Sequence, residues 1–371
     1  MAPSPSVPPN TRGLLLQWHV TERCNYRCAH CYQDAYASEE FSFSEQLDVV
    51  EQFKALLQRR RAETGPVSRG QITVTGGEPF IRDDFLDLLE VLAGERNHFV
   101  FAILTNGSMI DGPMARRLKT LGPRFVQVSI DGTEPTNDRL RCPGAYRKAV
   151  EALRALKAEG IPTMISFTAQ RENFQEFPAV AGLGRELGVN RVWSDRLIPW
   201  GSGAAYSAEV FTPEETRQYF ELMESARAEA ARAFGRTEIA LSRALQFLVG
   251  GGVPYHCEAG NNLITLQPNG DVYPCRRMPI KVGNIREKTL EDIYYSSDLF
   301  IRLRDRTTPA KGCEDCSHAL TCGGGLRCLS YAVTGDPFTA DPGCWHARPQ
   351  AGQARGRAAG GARSEQKGTT A

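Results

Sequence analysis

Between residues 14 and 200, short apolar runs alternate six times with amphipathic stretches, and this alternation limits the possible folds more than any other feature of the chain. The strand-like runs are 14–21, 71–77, 98–107, 124–132, 161–169 and 191–199. Helical periodicity fills 44–60, 83–94, 113–121, 144–158 and 174–187. A β-α order repeated in this way predicts a parallel sheet with right-handed crossovers, either open or curled into a partial barrel. In both forms ligands collect beyond the carboxyl ends of the strands. Three chemically distinctive groups fall at those ends: Cys24, Cys28 and Cys31 after the first run, Gly76, Gly77 and Glu78 after the second, and Ser129 to Gly132 after the fourth.

The chain has 371 residues, enough for one large domain and a smaller one. Its eleven cysteines are unevenly spread: three by position 31, seven between 257 and 344, and Cys142 alone between the groups. No apolar run approaches a membrane span, and the Pro-rich start lacks the apolar stretch of a secretory signal, so the expected location is cytoplasmic. Thiols there stay reduced, and metal ligation becomes the leading use for them. A formal charge of +1 gives no electrostatic case for nucleic acid or an anionic membrane as partner. Zinc sites want four ligands, commonly in two close pairs, whereas CxxxCxxC brings three thiolates on one loop with no evident fourth. Three soft ligands around an incomplete site suit an iron–sulfur cluster with one iron left open.

"CNYRCAHCY" resembles the CxxxCxxC signature of the radical S-adenosylmethionine (SAM) enzymes, and the GGE and SIDG segments match further motifs of that family in order. The resemblance covers roughly 14–200 and implies a (β/α)6 partial TIM barrel. It also implies that Cys24, Cys28 and Cys31 hold a [4Fe–4S] cluster whose fourth iron is chelated by the amino and carboxylate groups of SAM. By the same resemblance the backbone at His30 lies near adenine, and Ser129 and Asp131 face the SAM carboxylate and ribose hydroxyls. Gly76 and Gly77 let backbone pass close to the ligand, while Glu78 accepts from the SAM ammonium. Asn106, Arg139 and Arg141 are further candidates at these strand ends. Cys142 reads as an inert thiol.

Residues 201–252 read as a helical bridge of two helices, the first capped by Thr212 with Pro213 at its first position. Residues 253–346 carry the second cysteine group, which resembles the SPASM extension of radical SAM enzymes, a small cysteine-rich domain with auxiliary [4Fe–4S] clusters. Spacing alone also permits a pair of zinc ribbons. Carried over by position, Cys313, Cys316, Cys322 and Cys344 form a distal cluster site, and Cys257, Cys275 and Cys328 a proximal one. The pattern departs from the family's in two places. Five residues separate Cys322 from Cys328 where three are common, and "EAGNNL" after Cys257 offers no additional cysteine. The proximal site is therefore expected to leave one iron for water, substrate or another side chain. The ends, 1–13 and 347–371, are expected to be disordered tails.

The resemblance implies SAM cleavage to a 5′-deoxyadenosyl radical and hydrogen abstraction from a substrate, with an electron donor of flavodoxin or ferredoxin type. The first expectation is oxidative modification of a precursor peptide. With only 23 residues before Cys24, leader recognition would fall to a separate protein or to the barrel rim. The alternative is a dehydrogenase of a sugar, aminocyclitol or other small natural-product intermediate. A non-catalytic iron–sulfur or zinc-binding module is the third, which GGE and SIDG argue against because a carrier needs no SAM pocket. Arg276 follows Cys275 where sulfatase-maturing members have Asp, which counts against that branch. Arg276 and Arg277 either attract a carboxylate or face solvent. Asp195 and Arg196 either meet a polar substrate or pair with each other.

Overall fold

A computed structural model describes residues 13–33, 35–65, 69–233 and 236–347; the sequence-based expectations for the two tails fall almost wholly outside these. Seven strands run parallel and in chain order: β1 (Leu15–His19), β2 (Gly70–Thr75), β3 (Phe99–Thr105), β4 (Val126–Ser129), β5 (Thr163–Ala169), β6 (Arg191–Arg196) and β7 (Glu238–Ala240). Between them lie α1 (Phe43–Thr64), α2 (Phe85–Gly94), α3 (Gly112–Leu121), α4 (Glu134–Leu140), α5 (Ala145–Ala158), α6 (Phe177–Glu186) and α7 (Pro213–Arg232). This is the expected partial barrel.

Local sequence accounts for the helix limits. Ser42 and Glu45 form a reciprocal capping box at the start of α1, and Thr212 and Glu215 do the same for α7. Asp111 caps α3 by accepting from Met114 N at 2.9 Å, and Gly122 closes it in the left-handed conformation. Strand register sorts the side chains. Leu16, Trp18, Ile72, Val74, Ile264 and Leu266 share one face and are buried in the main core with Phe53 and Leu56 of α1. Gln17, His19, Thr73 and Thr75 share the other, so the inner wall is polar where the outer wall is apolar.

The remaining chain extends this sheet at its other edge. β8 (Leu263–Leu266) pairs in parallel with β1, and β9 (Asp271–Tyr273) and β10 (Gly283–Asn284) follow antiparallel, giving the order β10-β9-β8-β1-β2-β3-β4-β5-β6-β7. Five short helices complete the fold: α8 (Phe247–Gly250), α9 (Leu290–Ser296), α10 (Asp298–Arg304), α11 (Ala319–Cys322) and α12 (Arg327–Thr334). The cysteine-rich region is thus hydrogen-bonded to the first strand of the barrel. Arg60 of α1 braces the junction, donating to Tyr294 Oη at 2.5 Å, Asn261 O at 3.1 Å and Asn262 Oδ1 at 3.1 Å.

The helical bridge expected at 201–252 needs correction in its second half. Glu238–Ala240 are β7, paired with β6, and α8 is a single turn. The Thr237 hydroxyl donates to Val189 O at 2.7 Å, which fixes the chain beside β6. An open sheet edge therefore outweighs the local helical pattern.

Candidate functional site

The first cysteine loop leaves β1 and is clamped against the loop after β2. Gly77 N donates to Thr21 O at 2.8 Å and Glu78 N to Arg23 O at 2.9 Å. A Cβ at Gly76 would stand 2.3 Å from Thr21 O, and one at Gly77 2.2 Å from Arg23 O. These glycines thus admit protein backbone, the loop that carries Cys24, rather than only a ligand as expected. Arg82, which the sequence did not single out, fastens the same junction: it donates to Val20 O at 3.1 Å and Phe41 O at 2.5 Å and pairs with Glu40 and Asp84. At the far end of the loop, Gly203 N donates to Cys31 O at 2.8 Å.

Glu78 is fully buried. Its carboxylate accepts from Thr105 Oγ1 at 2.8 and 2.9 Å, Asn106 N at 2.8 Å and Phe80 N at 3.3 Å. Burial pushes this carboxyl from 4.5 up to about 7, against the pull of those donors. Asn106 also donates from Nδ2 to Asn25 Oδ1 at 2.9 Å, tying the third strand end to the cysteine loop.

Asp131 departs from its expected place at an open ribose site. It is wholly buried, with Oδ2 3.0 Å from His30 Nε2 and 2.5 Å from Arg141, while Oδ1 accepts from Thr168 N at 2.7 Å. Burial works against its charge, yet Arg141 and His30 hold the carboxyl far below the usual range. Protein groups thus take up both oxygens, because β5, the end of α4 and the cysteine loop converge on Asp131 and each brings a donor. Ser129 is half-buried, its hydroxyl 3.2 Å from that of Ser166 on β5. Arg139 lies away from this group, paired at the surface with Glu172.

Cys24, Cys28 and Cys31 come together on the loop, each thiol within electrostatic reach of another. Burial pushes Cys28 up to about 12, with Arg141 opposing. Cys313, Cys316, Cys322 and Cys344 line one cavity with Phe247 and His318. Burial pushes Cys313 and Cys322 to about 12. Cys257, Cys275 and Cys328 are buried together, the Cys328 thiol raised by burial and further by its two neighbours, while Arg277 opposes. Ten thiols therefore lie in three groups of three, four and three. Among the described residues, no three His, Cys, Asp or Glu side chains are arranged to share one metal ion. Thiolates on a cluster bind separate irons, so the four thiols that line the cavity beside Phe247 fit that donor chemistry.

Asp195 and Arg196, expected to meet a polar substrate or pair with each other, form their ion pairs with other side chains. Asp195 pairs with Arg277 at 2.9 Å and Arg243 at 3.2 Å. Arg196 makes a buried bidentate pair with Asp341, at 2.8 and 2.6 Å. Asp341 also accepts from Leu326 N and Gly343 N, next to Cys328 and Cys344. The sequence offered no signal for Asp341 beyond an acidic residue three before a cysteine.

Comparison with known proteins agrees with this geometry. Residues 18–183 match the radical SAM superfamily, and 257–317 match the SPASM iron-sulfur cluster-binding domain. The chain is 28% identical over 378 residues to pre-heme d1 synthase of Dinoroseobacter shibae, covering 94% of this chain and 91% of that one. It is 29% identical over 340 residues to PqqA peptide cyclase of Gluconobacter oxydans, covering 88% of each. Its fold matches native anSMEcpe with bound AdoMet and Cp18Cys peptide at a TM-score of 0.67, with 18% identity, 90% of this chain and 94% of that one. Its cofactors are a [4Fe–4S] cluster with SAM and SPASM auxiliary iron–sulfur clusters. The chain belongs to the radical SAM superfamily, as an enzyme with a C-terminal SPASM iron–sulfur domain.

Proposed function

We propose that this enzyme oxidatively modifies a peptide, with the reacting C–H bond held between the first cysteine loop and the Cys275 turn. The supporting observation is that these two loops meet: Tyr32, next to Cys31, lies under the guanidinium of Arg276, next to Cys275, 5.5 Å from it. A peptide is favoured by the likeness to a peptide cyclase over 88% of both chains. We assign Cys24, Cys28 and Cys31 to the SAM-binding cluster, Cys313, Cys316, Cys322 and Cys344 to the distal auxiliary cluster, and Cys257, Cys275 and Cys328 to the proximal one. Bound there, these groups supply a 5′-deoxyadenosyl radical and an acceptor for the electron that the oxidised substrate loses.

The chain's own residues bind and orient. Glu78 and the Gly76–Gly77 backbone form the SAM amino-group side, with Ser129 at the next strand end. Asp131 is a positioning residue that fixes His30, and through Arg141 the Cys28 end of the loop. The 201–209 segment holds the far end of the cysteine loop, with Gly203 N donating to Cys31 O and Ser202 N to Gln33 O. The chain divides into the barrel at 14–200, the connecting segment at 201–252, which adds β7 to the barrel sheet, and the auxiliary domain at 253–346. A flavodoxin or ferredoxin in the cytoplasm is the proposed donor, and a separate leader-binding protein the proposed helper.

A second reading, a tetrapyrrole substrate, is favoured by the likeness to pre-heme d1 synthase over 94% of this chain. Anaerobically reconstituted enzyme with SAM and dithionite should yield 5′-deoxyadenosine. With a precursor peptide encoded beside its gene, it should yield a product lighter by two hydrogens. Turnover of a porphyrin and of no such peptide would replace the first reading by the second.

A further inference from the structure

Arg276 and Arg277 are the two central residues of a tight turn closed by Met278 N donating to Cys275 O at 2.9 Å. The turn sends its two guanidinium groups to different places. Arg277 is neutralised by Asp195. Arg276 is more deeply buried, 3% exposed, and its contact is the Tyr32 ring. Among the described residues no carboxylate lies within ion-pair distance of Arg276, and its Nε has no hydrogen-bond partner. The His19 ring, at the inner carboxyl end of β1, likewise has a buried and unpartnered Nε2. Burial keeps that ring neutral, and the charge of Arg276 adds to the effect, so the two groups are electrostatic neighbours. A buried guanidinium without an anion is costly, and the cost is recovered when one arrives. Arg also suits a carboxylate, which its fork can hold with two parallel bonds.

We propose that Arg276, with His19 beside it, binds a carboxylate of the substrate, so that the enzyme acts on a peptide at or next to an acidic residue. The proposal rests on the peptide reading above and names the feature that the peptide must carry. The place is apt, because Tyr32 is within electrostatic reach of both Cys31 and Cys275. A carboxylate anchored there would hold its own chain carbons between the two loops, where position decides which hydrogen reacts. Arg276 is in this sense a specificity residue. Its neighbour Arg277 is instead part of the framework.

The test uses reconstituted holoenzyme with SAM and two capped probes, Ac-Ala-Glu-Ala-NH2 and Ac-Ala-Gln-Ala-NH2. Binding is read at millimolar concentration from the broadening of probe proton signals by the paramagnetic clusters. The acidic probe should bind roughly tenfold tighter or more, the ratio that one charge-assisted contact provides. Arg276→Gln should bring that ratio to about one, and Arg276→Lys should restore part of it. Equal binding of the two probes by the native enzyme, or binding of neither, would overturn the proposal. So would a preference that survives in Arg276→Gln. If Arg276 only balances the charge of the clusters, Arg276→Gln will change iron content or reduction potential and leave the probe ratio intact, which also overturns it. Failure of the native enzyme to form 5′-deoxyadenosine is a separate result, and it strikes the enzyme reading rather than the anchor.

Discussion

Glu78 shows what a single side chain can reveal about the order of events. Buried without a cation, its carboxyl sits at about 7, raised from 4.5. A carboxyl raised in the folded state favours folding below its unfolded value, and that contribution disappears as pH rises through the folded one. SAM-free protein should therefore lose stability between about pH 4.5 and 7. An ammonium group brought to the carboxylate reverses the balance by holding it ionised. SAM affinity should rise with pH over that interval and level off above about 7, with proton release on binding; calorimetry in buffers of different ionisation enthalpy measures both. Glu78→Gln should flatten the profile and weaken binding about tenfold or more, the effect of one charge-assisted contact. A steep profile in that variant would place the titrating group elsewhere. The motif was visible in the sequence, whereas the titration was not, since it depends on the complete burial of the carboxylate in the fold.

Elements tell a similar story of partial legibility. All six β-α units could be read from periodicity because each buries an apolar face against a continuous core. β7 could not, since three residues at a sheet edge leave no periodic trace and their pairing with β6 is settled by distant contacts. The glycines after β2 were legible as a motif, but their physical task appears only once the cysteine loop is seen 2.2 Å from where a Cβ would stand. Gly77→Ala should force the two loops apart, costing about 1–3 kcal/mol as overpacking does. Because the displaced atom belongs to Arg23, the damage should fall on the adjacent cysteine loop. Iron analysis of the purified variant should show loss from the SAM-binding site with the auxiliary clusters retained. Full iron content with native SAM affinity would contradict this account of the motif.

Cutting Asp131 from its partners should disturb the same loop. Asp131→Asn leaves Arg141 buried beside an uncharged group, a change that costs about 3–5 kcal/mol when a buried pair loses one member. Arg141 was one candidate among several in the sequence, and Thr168, which caps the other oxygen, was none, because contacts across β4 and β5 carry no local signature. Chemical denaturation should show the loss. Unchanged stability would mean that the cysteine loop holds its shape without this anchor.

At the scale of the molecule, the question is whether barrel and auxiliary domain are one cooperative unit. Among the links that join them are the β1–β8 pairing, the Asp195–Arg277 contact, and the buried Arg196–Asp341 pair. The third is the most exacting, since Asp341 takes two bonds from Arg196 and one each from Leu326 N and Gly343 N. Asp341→Asn should therefore destabilise by about 3–5 kcal/mol and release iron from the site formed by Cys313, Cys316, Cys322 and Cys344. Replacing Cys24, Cys28 and Cys31 together by Ala makes the opposite cut: SAM cleavage should vanish while iron persists in the C-terminal region. Mössbauer spectra of the two variants should be complementary, each lacking what the other keeps. If Asp341→Asn instead stripped every cluster, the buried pair would be holding the barrel as well as the auxiliary domain, and the molecule would have to be treated as a single folding unit with no independent metal regions.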